Sequence, residues 1–236
     1  MNGEAFLSLL QFSDGLFPAG SYAHSFGLET YTAEGAIRDA TGVESFLRSY
    51  LRGSVAPTDA VAVLASRTAA LSGGTARLEQ CIMLDHKLNA MKLAREVRDA
   101  SRQMGRQVLR VTANLGGAFA LNGLTGALFR AVEDEITPGH HAMAFGAVGA
   151  ALGWPERETV WAYLYSTCAG LVAAALRLLP LGQLAGQRIL RSLTESIPEL
   201  AGEVQGKGMG DVWSFMPGIE IAAMRHANLD ARLFRS

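Results

Sequence analysis

Cysteine is scarce in this sequence, and its spacing excludes two classes of cross-linked protein. The 236 residues contain two cysteines, Cys81 and Cys168, and neither belongs to a CxxC pair or to a Cys/His ligand set. A disulfide framework needs several cysteines, and a structural zinc site needs four ligands in short motifs. We therefore expect neither, and the apolar core must hold the chain together.

Charge is also scarce. Charged residues make up 18% of the chain, and 21 basic against 22 acidic residues leave a net charge of −1. No basic field or polybasic segment is present, which argues against nucleic acid or an anionic membrane surface as a partner. The N-terminus lacks the basic region, apolar stretch and cleavage site of a signal peptide, so we expect a cytoplasmic protein.

Strand patterns are missing as well. No stretch alternates apolar and polar residues between turn signals. Alanine, leucine and glycine dominate, and hydrophobic residues reach 49%. This composition favours helices. We predict one all-α domain over residues 1–236, a bundle of about nine or ten helices around a buried central helix from Glu156 to Leu179, which is apolar on nearly every side.

The central helix also raises the question of a membrane span. Residues 160–176 are uncharged and approach the roughly 20 residues that a bilayer requires. Polar or small residues interrupt the run and a proline follows it: Ser166, Thr167, Cys168, Gly170 and Pro180. We therefore interpret it as the core helix of a soluble bundle, with no membrane partner.

Local signals predict several helix boundaries. Thr41 and Glu44 have the spacing of a capping box at the start of a helix, and Pro57 is expected to end that helix. Thr137 is expected to cap the later helix that runs to Leu152, with Pro138 at its first position. Residues 198–210 are dotted with glycine and are expected to be mobile.

Signatures of enzyme chemistry are absent. The GLFPAG and GGAFALNG segments lack the lysine of a nucleotide-binding loop, and no nucleophile elbow surrounds a serine. None of the five histidines shows HExxH or a pair four residues apart: His24, His86, His140, His141 and His226. We therefore predict no catalytic residues, no cofactor and no tight metal site. The alternative is a small all-α enzyme that uses His24 and Glu29.

One stretch, Ser13 to Glu29, differs in chemistry from the rest of the chain. Glycine and proline bend it at Gly15, Pro18, Gly20 and Gly27. Between them stand three aromatic rings and five polar side chains: Phe17, Tyr22, Phe26, Asp14, Ser21, His24, Ser25 and Glu29. Local chemistry leaves two interpretations open, a structured turn between helices or a surface for catalysis or partner binding.

The motifs of this stretch resemble the opening of the urease accessory protein F family, a Q-x-x-D-x-x-F/L-P-x-G-x-x-x-x-S-x-G-L-E pattern. LLQFSDGLFPAGSYAHSFGLE matches it from Gln11 to Glu29. Further matches follow in order: an R-x-x-G at Arg102 and Gly105, an H-x-x-x-x-x-G from His140 to Gly146, ALRLLPLGQ, and the ending MRHANLDARLFRS. The resemblance spans nearly the whole chain.

The resemblance implies a maturation factor for a nickel enzyme, without catalytic activity of its own. Members of this family are all-α and dimeric. They bind accessory protein D, also called H, and then the GTPase accessory protein G, and the assembly loads nickel into apo-urease. The family member is thought to control the GTPase and to offer an internal passage for nickel. Its C-terminal tail is associated with the D/H partner.

The resemblance also assigns roles to residues of this chain. Six tail residues are expected to contact the D/H partner: Pro217, Met224, His226, Arg232, Leu233 and Phe234. Four are assigned to a functional face or passage: Asp14, His24, Ser25 and Glu29. The remaining positions are expected to be structural, the two arginines buried and paired: Pro18, Gly20, Gly27, Gly105, Arg102 and Arg177. Residues 202–236 are expected to be mobile until the complex forms.

Overall fold

The chain folds into a helical bundle, seen in a computed structural model that describes residues 1–72, 76–116 and 123–236. Within these ranges there are α-helices, two short 3₁₀ turns and one π-helical segment, but no strand. The all-α prediction is confirmed. The α-helices are α1 (Gly3–Ser13), α2 (Leu28–Ala33), α3 (Ala40–Tyr50), α4 (Val61–Leu71), α5 (Ala76–Met91), α6 (Arg95–Leu115), α7 (Gly123–Glu133), α8 (His141–Ala151), α9 (Glu156–Leu178), α10 (Gln183–Thr194), α11 (Ile197–Val204) and α12 (Pro217–His226).

The centre of the bundle is α8, which packs against α4 and α6. Every residue from Ala142 to Gly149 is buried. Glycines allow this close approach, because a Cβ atom at Gly146 would overlap the Val63 carbonyl oxygen and the Ser66 hydroxyl. One at Gly105 on α6 would overlap the backbone that leads into α8. Its predicted structural role therefore has a direct steric basis.

Helix α9 is the long apolar helix of the sequence prediction, but one of its sides remains open. It packs against α1, α3, α4, α10 and α11. It meets the length and hydropathy expected of a membrane span, yet 56% of its most apolar window is buried inside the bundle. A strip along it stays partly or fully exposed: Ala162, Tyr165, Ala169 and Ala173. The prediction that α9 is buried on all sides is therefore wrong for this strip. An apolar composition predicts that a helix is buried, but it does not show how many of its sides other helices cover.

Pro57 does not end a helix, contrary to the sequence prediction. A π-helical segment, Leu51–Ala60, carries the chain through Pro57 and joins α3 to α4 without a break. Proline has no N–H to donate, so the segment lacks one helical hydrogen bond at this position. Two carbonyl oxygens of the segment bond outside it: that of Gly53 accepts the Phe215 N–H at 3.0 Å, and that of Pro57 accepts the Trp213 N–H at 3.3 Å. A distant segment is thus hydrogen-bonded along the π-helical passage.

Two predicted helix caps are also wrong, because better acceptors are available. Asp39, rather than Thr41, caps α3 by accepting the Gly42 N–H at 2.8 Å. Thr137 lies before α8 and donates its hydroxyl to Asp85 at 2.6 Å, and α8 begins only at His141. A carboxylate is the stronger acceptor in both places.

The segment from residue 198 to 210, which is expected to be mobile, contains a helix. Helix α11 spans Ile197–Val204, with Pro198 in its first turn, where the missing N–H costs nothing. Leu200 and Val204 are buried against the bundle. The chain then passes over the π-helical segment and forms α12, which packs on α2 and α6.

Candidate functional site

The bent stretch at residues 13–29 is shaped by unusual backbone angles. Gly20 and Gly27 have φ values of +86° and +90°, which side chains with a Cβ rarely adopt. A Cβ at Gly27 would also lie 3.3 Å from the Ile219 carbonyl oxygen and 3.4 Å from the Ala223 N. The stretch is therefore bent so that α12 can pack directly on its backbone.

Glu29, in the first turn of α2, holds the end of the chain. Its Oε1 accepts the Leu233 N–H at 2.6 Å, and its Oε2 accepts the Phe234 N–H at 3.1 Å. Its Oε2 also lies 2.7 Å from Nε2 of His226 on α12. The side chain is 7% exposed. Buried charge is costly unless it is fully hydrogen-bonded, and this carboxylate has three partners from the tail.

His226 is buried between two carboxylates. Its Nδ1 lies 2.6 Å from Oε2 of Glu96 on α6, and the ring is fully buried. Each ring nitrogen of His226 therefore lies within hydrogen-bonding distance of a carboxylate oxygen, one from Glu96 and one from Glu29. Arg232 donates to the other Glu96 oxygen at 3.1 Å. Glu29, Glu96, His226 and Arg232 thus form one group of linked polar contacts, which we name the tail clasp.

Residues 234–236 extend this contact along the bent stretch. The Ser236 backbone oxygen accepts the N–H of Ser25 at 2.5 Å and its hydroxyl at 2.8 Å. The Ser236 hydroxyl lies 2.8 Å from Nδ1 of His24. The buried Phe234 ring stacks under the guanidinium of Arg177, 4.4 Å from ring centre to Cζ. The two segments that the sequence singled out therefore form one unit.

Beside this unit lies a cavity of about 170 Å³, which we name the chamber. Aromatic and thioether side chains form its apolar walls: Phe12, Phe17, Phe26 and Met104. Polar side chains also line it: His24, Tyr50, Asp59, Lys92, His141 and Tyr163. It opens to solvent between the bent stretch and α9, beside the exposed residues Asp14, Gly15, Tyr22 and Ala173.

The ionisable groups in the interior of the chamber are electrically balanced, and the carboxylate of Asp14 lies at its mouth. Lys92 Nζ lies 2.8 Å from Oδ1 of Asp59. Burial, with the nearby Arg235 charge, lowers the pKa of His24 to about 4. Burial also lowers the pKa of His141 to about 4, assisted by Lys92 and opposed by Asp59. Both imidazoles are therefore neutral at pH 7.

The predicted site residues divide by exposure. Asp14, Pro217, Met224, Arg232 and Leu233 are exposed, and a partner could reach them directly. The other predicted residues are buried, mostly under the tail: His24, Ser25, Glu29, His226 and Phe234. Exposing them requires residues 227–236 to move, and exposing His226 requires α12 to move as well.

The two arginines expected to be buried both reach solvent. Arg177 is exposed and donates to the Tyr22 carbonyl oxygen at 2.9 Å. Arg102 has a side chain that is 37% exposed, 3.6 Å from the half-exposed Asp99. A guanidinium keeps its hydration while its stem packs on the protein, so pairing did not require burial.

Sequence reasoning missed two carboxylates that have buried partners: the partly exposed Glu96 and the buried Asp85. Glu96 lies in the charged run of α6, which reads as a solvated face until α12 covers it. Asp85 is fully buried and accepts from Thr137, Gly139 N at 2.5 Å and His140 N at 2.8 Å. Burial raises the pKa of Asp85, and these hydrogen bonds oppose the shift. Its position in phase with the apolar residues of α5 was a usable signal.

The alternative interpretation, an enzyme that uses His24 and Glu29, finds no support in this geometry. Both oxygens of Glu29 are engaged by the tail, and His24 Nδ1 faces Ser236. Among the described residues, no group of three or more His, Cys, Asp or Glu side chains could hold a metal ion.

The fold and the site thus define an all-α bundle with a C-terminal tail held by a buried carboxylate. Comparison with known proteins narrows this class. A family model described as UreF matches residues 37–194. The chain is 34% identical over 230 residues to urease accessory protein UreF of Paenarthrobacter aurescens, covering 98% of this chain and 97% of that protein. It is 36% identical over 236 residues to UreF of Cereibacter sphaeroides, covering 99% of both.

The chain belongs to the UreF family of urease accessory proteins. The family resemblance read from the sequence motifs is confirmed. Membership assigns the protein a role in urease maturation.

Proposed function

We propose that this protein is a non-catalytic factor that binds the D/H accessory protein and the GTPase accessory protein G, and that controls GTP-dependent insertion of nickel into apo-urease. The observation that carries the proposal is the extent of the similarity: it covers 97% and 99% of the length of two proteins named urease accessory protein UreF. The protein acts in the cytoplasm and as a homodimer.

A partner surface on α12 supports the proposal. Three apolar residues at helical spacing, Pro217, Ile221 and Met224, are exposed along one side of this helix. Ile221 is 50% and Met224 48% exposed, and Leu233 of the tail is 53% exposed. Apolar side chains that are arranged on one helix face and left open to solvent are typical of a docking surface. We assign this surface to the D/H partner.

Co-purification with the D/H accessory protein tests this assignment. A charge placed in the centre of an apolar interface removes a contact worth about 2 kcal/mol or more, so Met224→Glu is expected to weaken binding at least 30-fold. Met83 on α5, which is 65% exposed, provides the matched control Met83→Glu. Deletion of residues 217–236 is expected to abolish binding. Equal binding by Met224→Glu and Met83→Glu would contradict the assignment.

Function in maturation requires a second assay. The purified protein is combined with the D/H and G accessory proteins, apo-urease, GTP and nickel, and urease activity is measured. Omission of this chain is expected to reduce activation and to alter GTP hydrolysis by the G protein. If the chain alone turned over a substrate, or if activation proceeded equally without it, the proposal would fail.

The homodimer proposal rests on the open side of α9. The strip from Ala162 to Ala173 carries no charge, and Tyr165 within it is 41% exposed. Tyr165→Glu is expected to convert a dimer to a monomer in light scattering coupled to size-exclusion chromatography. A dimer that persists in this variant places the contact elsewhere.

A further inference from the structure

The chamber contains polar groups that the protein leaves without partners. Nε2 of His24 is buried and accepts or donates no hydrogen bond within the described ranges. The hydroxyls of Tyr50 and Tyr163 and the ring nitrogens of His141 also form no hydrogen bond with a described residue, but these atoms are not fully buried; all three side chains line the cavity. Buried polar groups are nearly always hydrogen-bonded, so the unpaired Nε2 of His24, with the unpaired hydroxyls and ring nitrogens around the cavity, points to a place where a polar group of a ligand would find partners.

The size and walls of the chamber limit what that molecule can be. A cavity of about 150 Å³ holds benzene in another protein, and this one measures about 170 Å³. Phe12 and Phe17 present rings 4.3 Å apart in its wall, and His141 and Tyr163 lie 5.1 Å apart. The space therefore suits one planar ring with a small substituent.

Charge narrows the class further. The two charged side chains in the interior, Asp59 and Lys92, neutralise each other. His24 and His141 are neutral at pH 7 because burial lowers the pKa of each to about 4. A charged ligand would lose its hydration here without gaining an unpaired counter-charge. An uncharged ligand has no such cost and can satisfy the free hydroxyls and imidazole nitrogens.

We propose that the chamber binds a small, uncharged, planar molecule, namely one aromatic or heteroaromatic ring that carries a hydrogen-bonding group. The apolar walls contact the ring, and Tyr50, Tyr163, His24 and His141 bond the polar substituent. This site is additional to the role in urease maturation and does not depend on it.

Three isosteric probes test the proposal: neutral benzamide, anionic benzoate and cationic benzamidinium. Binding to the full-length protein at pH 7 is measured by calorimetry and by NMR shifts. Benzamide is expected to bind saturably and at least tenfold more tightly than either charged probe. Tyr163→Phe, which keeps the ring and removes the hydroxyl, is expected to weaken benzamide binding about fivefold. Tyr165→Phe, on the exposed side of the same helix, is the control and is expected to change nothing.

Several results would overturn the proposal. These are no saturable benzamide binding, equal binding of the charged probes, or equal affinity in Tyr163→Phe and Tyr165→Phe. Displacement of benzamide by Ni²⁺ in the wild type but not in His24→Leu would instead make the chamber a cation site. Tyr50→Phe provides a second hydroxyl deletion if Tyr163→Phe fails to fold, as judged by its thermal transition.

Discussion

Replacement of Glu29 by alanine is expected to release the tail of this protein. The change removes the acceptor of the Leu233 and Phe234 N–H groups, at 2.6 and 3.1 Å, and one of the two carboxylates that contact His226. Breaking a buried charge pair costs about 3–5 kcal/mol, and hydrogen bonds to a charged group contribute about 1.5–3 kcal/mol each. Because these terms overlap, we expect a total loss of about 4–5 kcal/mol.

Hydrogen exchange at the amides of Leu233 and Phe234 measures this loss directly. If the tail opens locally, their protection is expected to fall by about three orders of magnitude in Glu29→Ala, while the amides of α8 keep theirs. Glu29→Gln retains one acceptor oxygen but not the charge, so its Leu233 and Phe234 protection is expected to lie between that of the wild type and that of Glu29→Ala.

Glu34 provides the matched control on the same side of the bundle. Its carboxylate pairs with Arg225 of α12 at 3.3 Å, but both side chains are about half exposed. Such surface pairs contribute about 0–1 kcal/mol, so Glu34→Ala is expected to leave the tail amides protected. Unchanged protection of Leu233 and Phe234 in Glu29→Ala would refute the role of the buried carboxylate.

Three further predictions concern the core and the buried titratable groups. Gly105→Ala is expected to lower the free energy of unfolding in urea by about 1–3 kcal/mol, because the added Cβ would overlap the backbone at residues 139–140. Gly202→Ala, at an exposed position of α11 with open space around it, is the control and is expected to be neutral or stabilising by up to about 1 kcal/mol. Asp85→Ala leaves three donors without an acceptor and is expected to cost about 3–5 kcal/mol. The pKa values of His24 and His141 are about 4 in the folded chain against 6.5 in the unfolded chain, so the unfolded state binds more protons between these pH values. The free energy of unfolding is therefore expected to fall as the pH is lowered from 6.5 to 4, by up to about 1.4 kcal/mol per pH unit for each histidine. His24→Gln is expected to reduce that slope by about one proton; an unchanged slope contradicts the assignment.

The tail clasp has a consequence for the proposed D/H interaction. A partner can contact Met224 and Leu233 without any rearrangement, because both are about half exposed. His226 and Phe234 are buried, and contact with them requires the clasp to open first. The free energy of local opening, obtained from hydrogen exchange at Leu233 and Phe234 in the wild type, is therefore the cost of any binding mode that uses the buried residues. Whether residues 202–236 are mobile in the free protein remains a prediction that the same exchange experiment addresses.

The sequence alone was sufficient for the all-α class and for the family, because both depend on patterns along the chain. The long apolar helix ending at Leu178, the glycine in α6 and the motif from Gln11 to Glu29 are local features that an isolated reading can detect. Periodicity reports which residues avoid water, and motif order reports common descent. Neither the periodicity nor the motif order depends on which segments are in contact in the folded protein.

Only the tertiary structure showed the path of the backbone at Pro57 and the partners of Glu96 and Glu29. The π-helical passage through Pro57 is hydrogen-bonded to the backbone of Trp213 and Phe215, more than 150 residues away. Glu96 reads as a solvated charge until α12 places His226 against it. Glu29, predicted as part of a functional face or passage, is instead the buried acceptor for the tail backbone. Hydrogen-bond partners and burial are set by chain segments distant in sequence, so local composition could not determine them.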